Sequence, residues 1–358
     1  MKKTLVAIAA LAAFGAQAQS TVTLQATFDP TVQQQKTGYG NGGNSSTQGM
    51  SNNGQGTSQV TFLGTEDLGG GLKANFLVEN DFNASKDGTA NIGSGGGEVF
   101  VGLSGGFGAL QVGAPNTPSL DVSGRTPFGT KIGSGFANGG GTGTGKGTAS
   151  YGVQGLGHVR ENNSVVYTAP TMAGFTAKVG YQFNADAQSG TNVATAVTRA
   201  NARTDVGLSY VNGPLTAVFA NYQQSNVYRQ NHGYVSYQIG ALKATYGFNR
   251  DNRLAAYTNT TPSIALGSNL AAGKLTGQNI AADYALASNI NLLANVGKLN
   301  DKTTNNYDRK ITAVGVKYTL SPRTSLYARN VTEKLENAAG AWDKNSIKTT
   351  LVGLQHNF

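Results

Sequence analysis

No cysteine occurs in the 358 residues, so neither a disulfide nor a thiolate metal or redox centre can form, and the fold stands without covalent staples. Long apolar runs are missing too. Beyond the first few residues nothing approaches the eighteen consecutive apolar residues of a membrane-crossing helix, which excludes helical spans. Histidine is limited to His158, His232 and His356; with no paired histidines and no cysteine, no metal site, cofactor or catalytic centre is expected. Lysine and arginine are scattered, with no basic run of five or more. The formal charge of +9 therefore does not point to nucleic acid. The glycine-rich stretch 139–148 contains Gly140, Gly145 and Lys146 at phosphate-loop spacing. Gly147 then stands where a magnesium-binding hydroxyl belongs, and no strand or helix flanks it, so a loop segment is the reading.

What is present begins with a leader. Met1-Lys2-Lys3 is basic, residues 4–14 are mostly apolar, and Ala16-Gln17-Ala18 offers a cleavage site. These are the parts of a secretory signal, here 1–18, and the apolar run is too short to span a membrane. Its removal would leave one domain, 19–358, and lower the formal charge to +7.

That domain alternates with period two. Phe175, Ala177, Val179, Tyr181 and Phe183 alternate with Thr176, Lys178, Gly180 and Gln182. Leu242, Ala244, Tyr246 and Phe248 alternate with Lys243, Thr245, Gly247 and Asn249, and the 204–210 and 72–79 stretches behave alike. Such segments are strands with one apolar and one polar face. Short Gly-, Pro-, Asn- or Ser-bearing turns at 67–71, 105–108, 170–174, 212–214, 240–241, 288–289 and 321–323 alternate with longer polar stretches. The latter lie near 29–57, 83–97, 114–161, 184–202, 224–230, 250–273, 300–308 and 333–345.

Seven turns and eight loops separate sixteen strands, an even number with both ends on the short-turn side. A soluble sandwich would also alternate, but it needs two apolar inner faces. Here the second face is Thr, Asn, Gln, Lys, Gly and Ser, which suits water. The pattern predicts an all-β transmembrane antiparallel β-barrel with short periplasmic turns and long external loops. In a bilayer every backbone polar group must pair within the protein, so 346–358 is expected to close on 20–28. His356 and the terminal Phe358 would then sit in the periplasmic aromatic girdle.

Several stretches carry a resemblance: Gly64-Thr65-Glu66-Asp67-Leu68-Gly69-Gly70-Gly71-Leu72-Lys73-Ala74, Val101-Gly102-Leu103-Ser104-Gly105-Gly106-Phe107-Gly108 and Asn163-Ser164-Val165-Val166-Tyr167, with Ser20-Thr21-Val22-Thr23-Leu24 and the terminal phenylalanine. In this order they resemble the Gram-negative general porins of the betaproteobacterial type. The resemblance implies a sixteen-stranded barrel, commonly a homotrimer among outer-membrane lipid and lipopolysaccharide, passing small hydrophilic solutes and ions without energy input. It also implies that the third external loop, matched by 114–161, folds into the lumen. Where the family often carries basic residues, this chain has Gln59, Leu63, Gly97, Ala114 and Val166.

The constriction candidates are Asp121, Arg125 and Lys131 on that loop, with Arg160 at its return. Wall candidates are Lys178 and Lys243, on polar faces just after short turns, with Lys317 and Arg329. Acid on the loop facing base on the wall would set a transverse field. A weak anion preference is expected, since bases outnumber acids while the usual basic cluster is thinned. The alternative is a substrate-specific channel or a barrel with a binding or adhesion role. Tyr39, Tyr151, Tyr228, Tyr257 and Trp342 fall in expected loops, too dispersed for an aromatic sugar slide.

Overall fold

The computed structural model describes residues 20–38, 42–85, 96–134, 160, 162–183, 202–224, 228–253, 257–258, 269–270, 272–303, 308–336 and 346–358. The expected signal segment, Tyr39, the 139–148 stretch, Tyr151, His158, Glu161 and Trp342 lie outside the described residues.

Among the described residues the chain forms one closed antiparallel sheet, with a separate two-stranded pair of Tyr257–Thr258 and Asn269–Leu270 in one external loop. Its strands are β1 (Thr21–Phe28 continued by Pro30–Gly38), β2 (Asn44–Asn52 continued by Gln59–Gly69), β3 (Leu72–Asp81), β4 (Val99–Gly105) and β5 (Gly108–Ala114). After a short helix α1 (Pro118–Ser123) come β6 (Ser164–Thr168), β7 (Phe175–Gln182), β8 (Arg203–Asn212), β9 (Leu215–Gln224), β10 (Tyr228–Ile239) and β11 (Leu242–Arg253). The last five are β12 (Gly273–Ala287), β13 (Ile290–Asp301), β14 (Asp308–Ser321), β15 (Thr324–Glu336) and β16 (Ser346–Asn357). Eighteen paired segments thus make sixteen strands, because β1 and β2 are each interrupted once. Each strand pairs with its neighbour in sequence and β16 returns to β1.

All seven short turns stand where the sequence places them. In the turn between β10 and β11, Gly240 has φ of 57°, the sign a two-residue hairpin requires at its first position. The loops are shorter than expected. Most of 29–57 is strand, paired from Pro30↔Asn52 to Gly38↔Asn44. Likewise Tyr228, placed in a loop by sequence, opens β10. Toward the loop ends polar residues such as Thr31, Gln35 and Thr37 fill even the buried face, so the apolar alternation that marks a strand in sequence disappears while the backbone ladder continues. Closure differs as well: 20–28 meets β16 only at Thr27↔Asn357 and Phe28↔His356. The main partner is Pro30–Gly38, from Thr31↔Gly353 to Gly38↔Ser346.

The outer face is apolar. On β14, Val314, Val316, Tyr318 and Leu320 are exposed, while Ile311 and Ala313 on the other face are buried. The inner face is not uniformly polar, contrary to the sequence expectation. Leu275, Leu293, Leu299, Ile311, Ala313 and Val331 form a buried patch inside the barrel. They are covered by loop residues rather than lipid, which is why one strand can carry apolar side chains on both faces.

Lipid contact sets a depth-dependent penalty for charge. Val316→Lys, in the middle of the apolar band, should lower unfolding free energy by about 2–4 kcal/mol, whereas Thr312→Lys, on the same outward face nearer the loop end, should cost about 0–1 kcal/mol. Denaturant titration of protein refolded into phosphatidylcholine vesicles measures both.

Candidate functional site

The third external loop leaves β5 at Ala114 and turns into the barrel. Its entry is tied by Glu98, whose carboxylate accepts the main-chain N–H of Asn116 (2.8 Å) and its Nδ2 (2.7 Å). Its return is tied by Arg160, which donates from Nε to Asn116 Oδ1 (2.8 Å) and from a terminal nitrogen to Glu79 Oε1 (2.9 Å). Gln59 Nε2 donates to the other Glu79 oxygen at 2.7 Å. One acid on β3 and one before β4 therefore hold both ends of a loop that spans more than forty residues. Burial raises the Glu98 carboxyl above its ordinary range, opposed by the Asn116 N–H that stabilises its anion. Gly97 leaves room here: a Cβ would stand 2.2 Å from the Glu79 carbonyl oxygen.

From Asn116 the chain enters α1, with Pro118 at its first position, where the missing N–H is no loss. The wall is pared down beneath it. A Cβ on Gly207 would lie 2.7 Å from Pro118 Cβ, and Gly180 faces Pro118 Cδ at 3.5 Å. The Ser119 N–H donates to Asp205 Oδ2 on β8 (2.9 Å), and Val122 is buried with Val218, Ala220 and Tyr234 of β9 and β10. The opposite side of α1 carries Asp121, whose Oδ2 is 3.3 Å from Lys178 Nζ on β7. Arg125 is exposed and donates from Nε to the Asp121 main-chain oxygen at 2.7 Å. Lys178 is only 16% exposed but Asp121 is 43% exposed; with its acid open to water, the pair adds at most about 1 kcal/mol to stability.

The loop then crosses to the far wall. Phe128 is fully buried on the inner apolar patch of β12 to β15, with Ile132 beside it. Covering a side chain of this size contributes about 1.5–3 kcal/mol. Arg329 of β15 stacks on it, its guanidinium 4.9 Å from the Phe128 ring centre, and donates to the Ile132 carbonyl at 2.8 Å. Asn295 Nδ2 caps the Gly133 carbonyl (2.7 Å) and Asn279 Nδ2 the Ser134 carbonyl (3.3 Å). Lys131 is half-buried between these anchors. Burial draws its ammonium below the usual lysine range, and the Asp81 and Asp29 carboxylates pull it back up.

The remaining candidates are spread along the wall. Lys243 is exposed on the inner face of β11, directly across from Asp283 of β12. Lys317 borders a cavity of about 350 Å³ together with Gln55, Asp283, Asn291, Arg329, Gln355 and loop residues 126–129. His356 shares a hydrogen bond between Nδ1 and Thr324 Oγ1 (2.8 Å), and its ring stands 4.4 Å from that of Phe358. The Phe358 N–H donates to Ala26 O at 2.8 Å and its ring packs edge-on to Phe28. The structure thus brings Asp121, Arg125 and Lys178 together and joins Arg160 to Asn116 and Glu79. It turns Arg329 into a clamp on the loop, not a free wall charge.

Sequence reasoning missed Glu79, Glu98, Asp205 and Gln55. Their partners lie far away in the chain, so no local spacing marks them. Gly102-Leu103-Ser104-Gly105-Gly106 matches the G-x-S-x-G spacing of hydrolase nucleophiles, which corrects the sequence reading that finds no such motif. It runs from β4 into a β-hairpin instead of a strand-to-helix turn, and Ser104 Oγ accepts a bond from Asn75 Nδ2 (2.8 Å).

Comparison with known proteins gives one answer. The family model described as Gram-negative porin matches residues 4–340. An outer membrane porin protein of Bordetella pertussis is 31% identical over the full length of both chains. Outer membrane porin protein 32 of Delftia acidovorans is 36% identical over 63% of this chain and 60% of its own. Among solved structures, an anion-selective porin from Comamonas acidovorans superposes with a TM-score of 0.72 at 22% identity, covering 95% of this chain and 100% of that one. With a closed sixteen-stranded barrel already described, the match over nearly all of the sequence is decisive: the chain belongs to the Gram-negative porin family and resides in the bacterial outer membrane.

Proposed function

We propose that the barrel is a general diffusion pore with a weak preference for anions, working as a homotrimer surrounded by outer-membrane lipid and lipopolysaccharide. The observation that carries this reading is the loop tied across the inside of a closed barrel at Glu98, Glu79, Asp205 and Arg329. A lumen that such a loop narrows filters by size, and the charges at the narrowing filter by sign. Solutes bypass a hydrocarbon layer of roughly 25–30 Å without any chemical step.

The sign follows from the local balance. Asp121 has Lys178 on the wall and Arg125 on its own loop as neighbours, so one acid is flanked by two bases. Lys317 and Lys243 are each near Asp283, which leaves another small positive excess. The Comamonas acidovorans structure bears the description anion-selective, which agrees in sign. The thinned basic complement at Gln59, Gly97 and Val166 argues for a weaker preference.

Reversal potentials of refolded protein in planar bilayers under a tenfold KCl gradient should show chloride slightly favoured. The preference should fade toward 1 M salt, where the screening length falls to about 3 Å. Asp121→Asn should strengthen it, and Arg125→Gln should weaken it by a comparable amount. A clear potassium preference in the unaltered protein defeats the reading.

Conductance of the same channels should rise linearly with salt and show no saturable block by millimolar sugars. Saturation by one solute would favour the substrate-specific alternative. Cross-linking in outer-membrane vesicles should yield a species of three chains, and a monomer alone would remove the trimer from the proposal.

A further inference from the structure

The second strand stops at Asn52 and resumes at Gln59. Between them residues 53–58 leave the wall and lie against its inner surface. They cover the seam where the first and last strands meet. That seam is incomplete: β16 pairs with β1 at Phe28 and below and again from Thr31, leaving Asp29 and Pro30 outside the ladder. Proline has no N–H to offer it.

The excursion is held from every side. Asp29 Oδ2 accepts the main-chain N–H groups of Gln55 and Gly56, both at 2.6 Å, and its other oxygen accepts the Tyr327 hydroxyl. The Asp29 N–H donates to Ser58 Oγ (2.9 Å), and its carbonyl accepts the Asn53 N–H (2.9 Å). A Cβ on Gly54 would stand 2.4 Å from the Tyr327 hydroxyl, and one on Gly56 would stand 2.0 Å from Gln355 Nε2. Two glycines let the segment press onto β15 and β16. Gln55 Nε2 then bonds Ser325 Oγ (2.9 Å) and Gln355 Oε1 (2.6 Å).

Gln55 also lines the cavity that loop residues 126–129 and Lys317 share. Lys317, Asn291 and Gln355 are within a few residues of short turns or the chain end, so this cavity lies on the periplasmic side of the loop. We propose that residues 53–58 form a second restriction of the pore below the third loop, with Gln55 as a size-determining residue. The inference rests on the diffusion-pore reading. Its chemistry differs from the loop's. A neutral amide fixed by two polar neighbours narrows the path without adding charge, so it would sort solutes by width and leave ionic preference to the charged side chains of the loop and wall.

The absence of cysteine gives a direct test, since Gln55→Cys introduces the sole thiol. Unaltered protein must conduct first; if it does not, the pore reading itself fails. Benzyl methanethiosulfonate, which adds a neutral ring through a mixed disulfide, should then lower single-channel conductance of Gln55→Cys by about one third or more. It should also reduce the largest poly(ethylene glycol) that enters, with the reversal potential unchanged. Gln55→Ser, which shortens the side chain, should raise conductance by about a tenth or more. Complete labelling by mass spectrometry with unchanged conductance overturns the inference, as does a thiol the reagent cannot reach. Failure of both variants to form barrels also overturns it, because Gln55 would then be structural alone.

Discussion

A backbone in hydrocarbon has no water to satisfy its N–H and C=O groups, and each one left unpaired there costs several kcal/mol. That constraint requires the sheet to close, which makes the meeting of β1 and β16 the joint the molecule depends on. Closure is imperfect at Asp29 and Pro30, yet the Asp29 main-chain groups still find partners in Ser58 and Asn53. The excursion of β2 therefore supplies from inside the bonds that the ladder omits. Phe28, Phe82 and Phe358 gather around the same joint, with Phe28 5.0 Å from Phe82 and 5.8 Å from Phe358 between ring centres.

Closure produces an interior, and sixteen strands produce one too wide to fill with side chains from the wall alone. The third loop occupies part of it. The half-exposed ion pair of Asp121 with Lys178 adds little to its anchoring. The firmer holds are Phe128 on its apolar patch, Val122 on β9 and β10, and carbonyls capped by Asn295, Asn279 and Arg329. Lumen water screens charges but cannot loosen an apolar contact in the same way, so the loop stays placed over a range of salt. The wall answers with glycines at 180, 207 and 315, where Pro118 and Phe128 approach.

Much of this architecture was legible in the chain. Period-two segments such as 175–183 and 242–249 face lipid on one side, so the bilayer wrote itself into their alternation. The tight turns were legible because Gly, Pro and Asn are needed there for backbone reasons. The extensions of β1 and β2 were not, because Thr31–Gly38 and Asn44–Asn52 are polar on nearly every position, including the buried face that carries Thr31, Gln35 and Thr37, and so carry no apolar period. Nor could the inner apolar patch be anticipated. Leu293 and Ile311 read as lapses in a polar face until Phe128, far away in sequence, is laid on them. The candidate charges were found as residue types on the right face, but their pairing depends on register across strands that no local spacing encodes.

The same limit explains why a count of charges is a poor guide to the pore's field. Arg160 and Arg329 are as cationic as Arg125, but one is spent on Glu79 and Asn116 and the other lies against the Phe128 and Tyr327 rings. Lys131 is half-buried among the carboxylates that surround it. A permeating ion responds to charges not already neutralised at close range, because a paired base and acid look like a dipole a few ångströms away. By that measure Arg125 and Lys243, both exposed to the lumen, weigh more than the clamping arginines. The basic side chains of this barrel thus divide between those that hold the loop in place, Arg160 and Arg329, and those left exposed, Arg125 and Lys243.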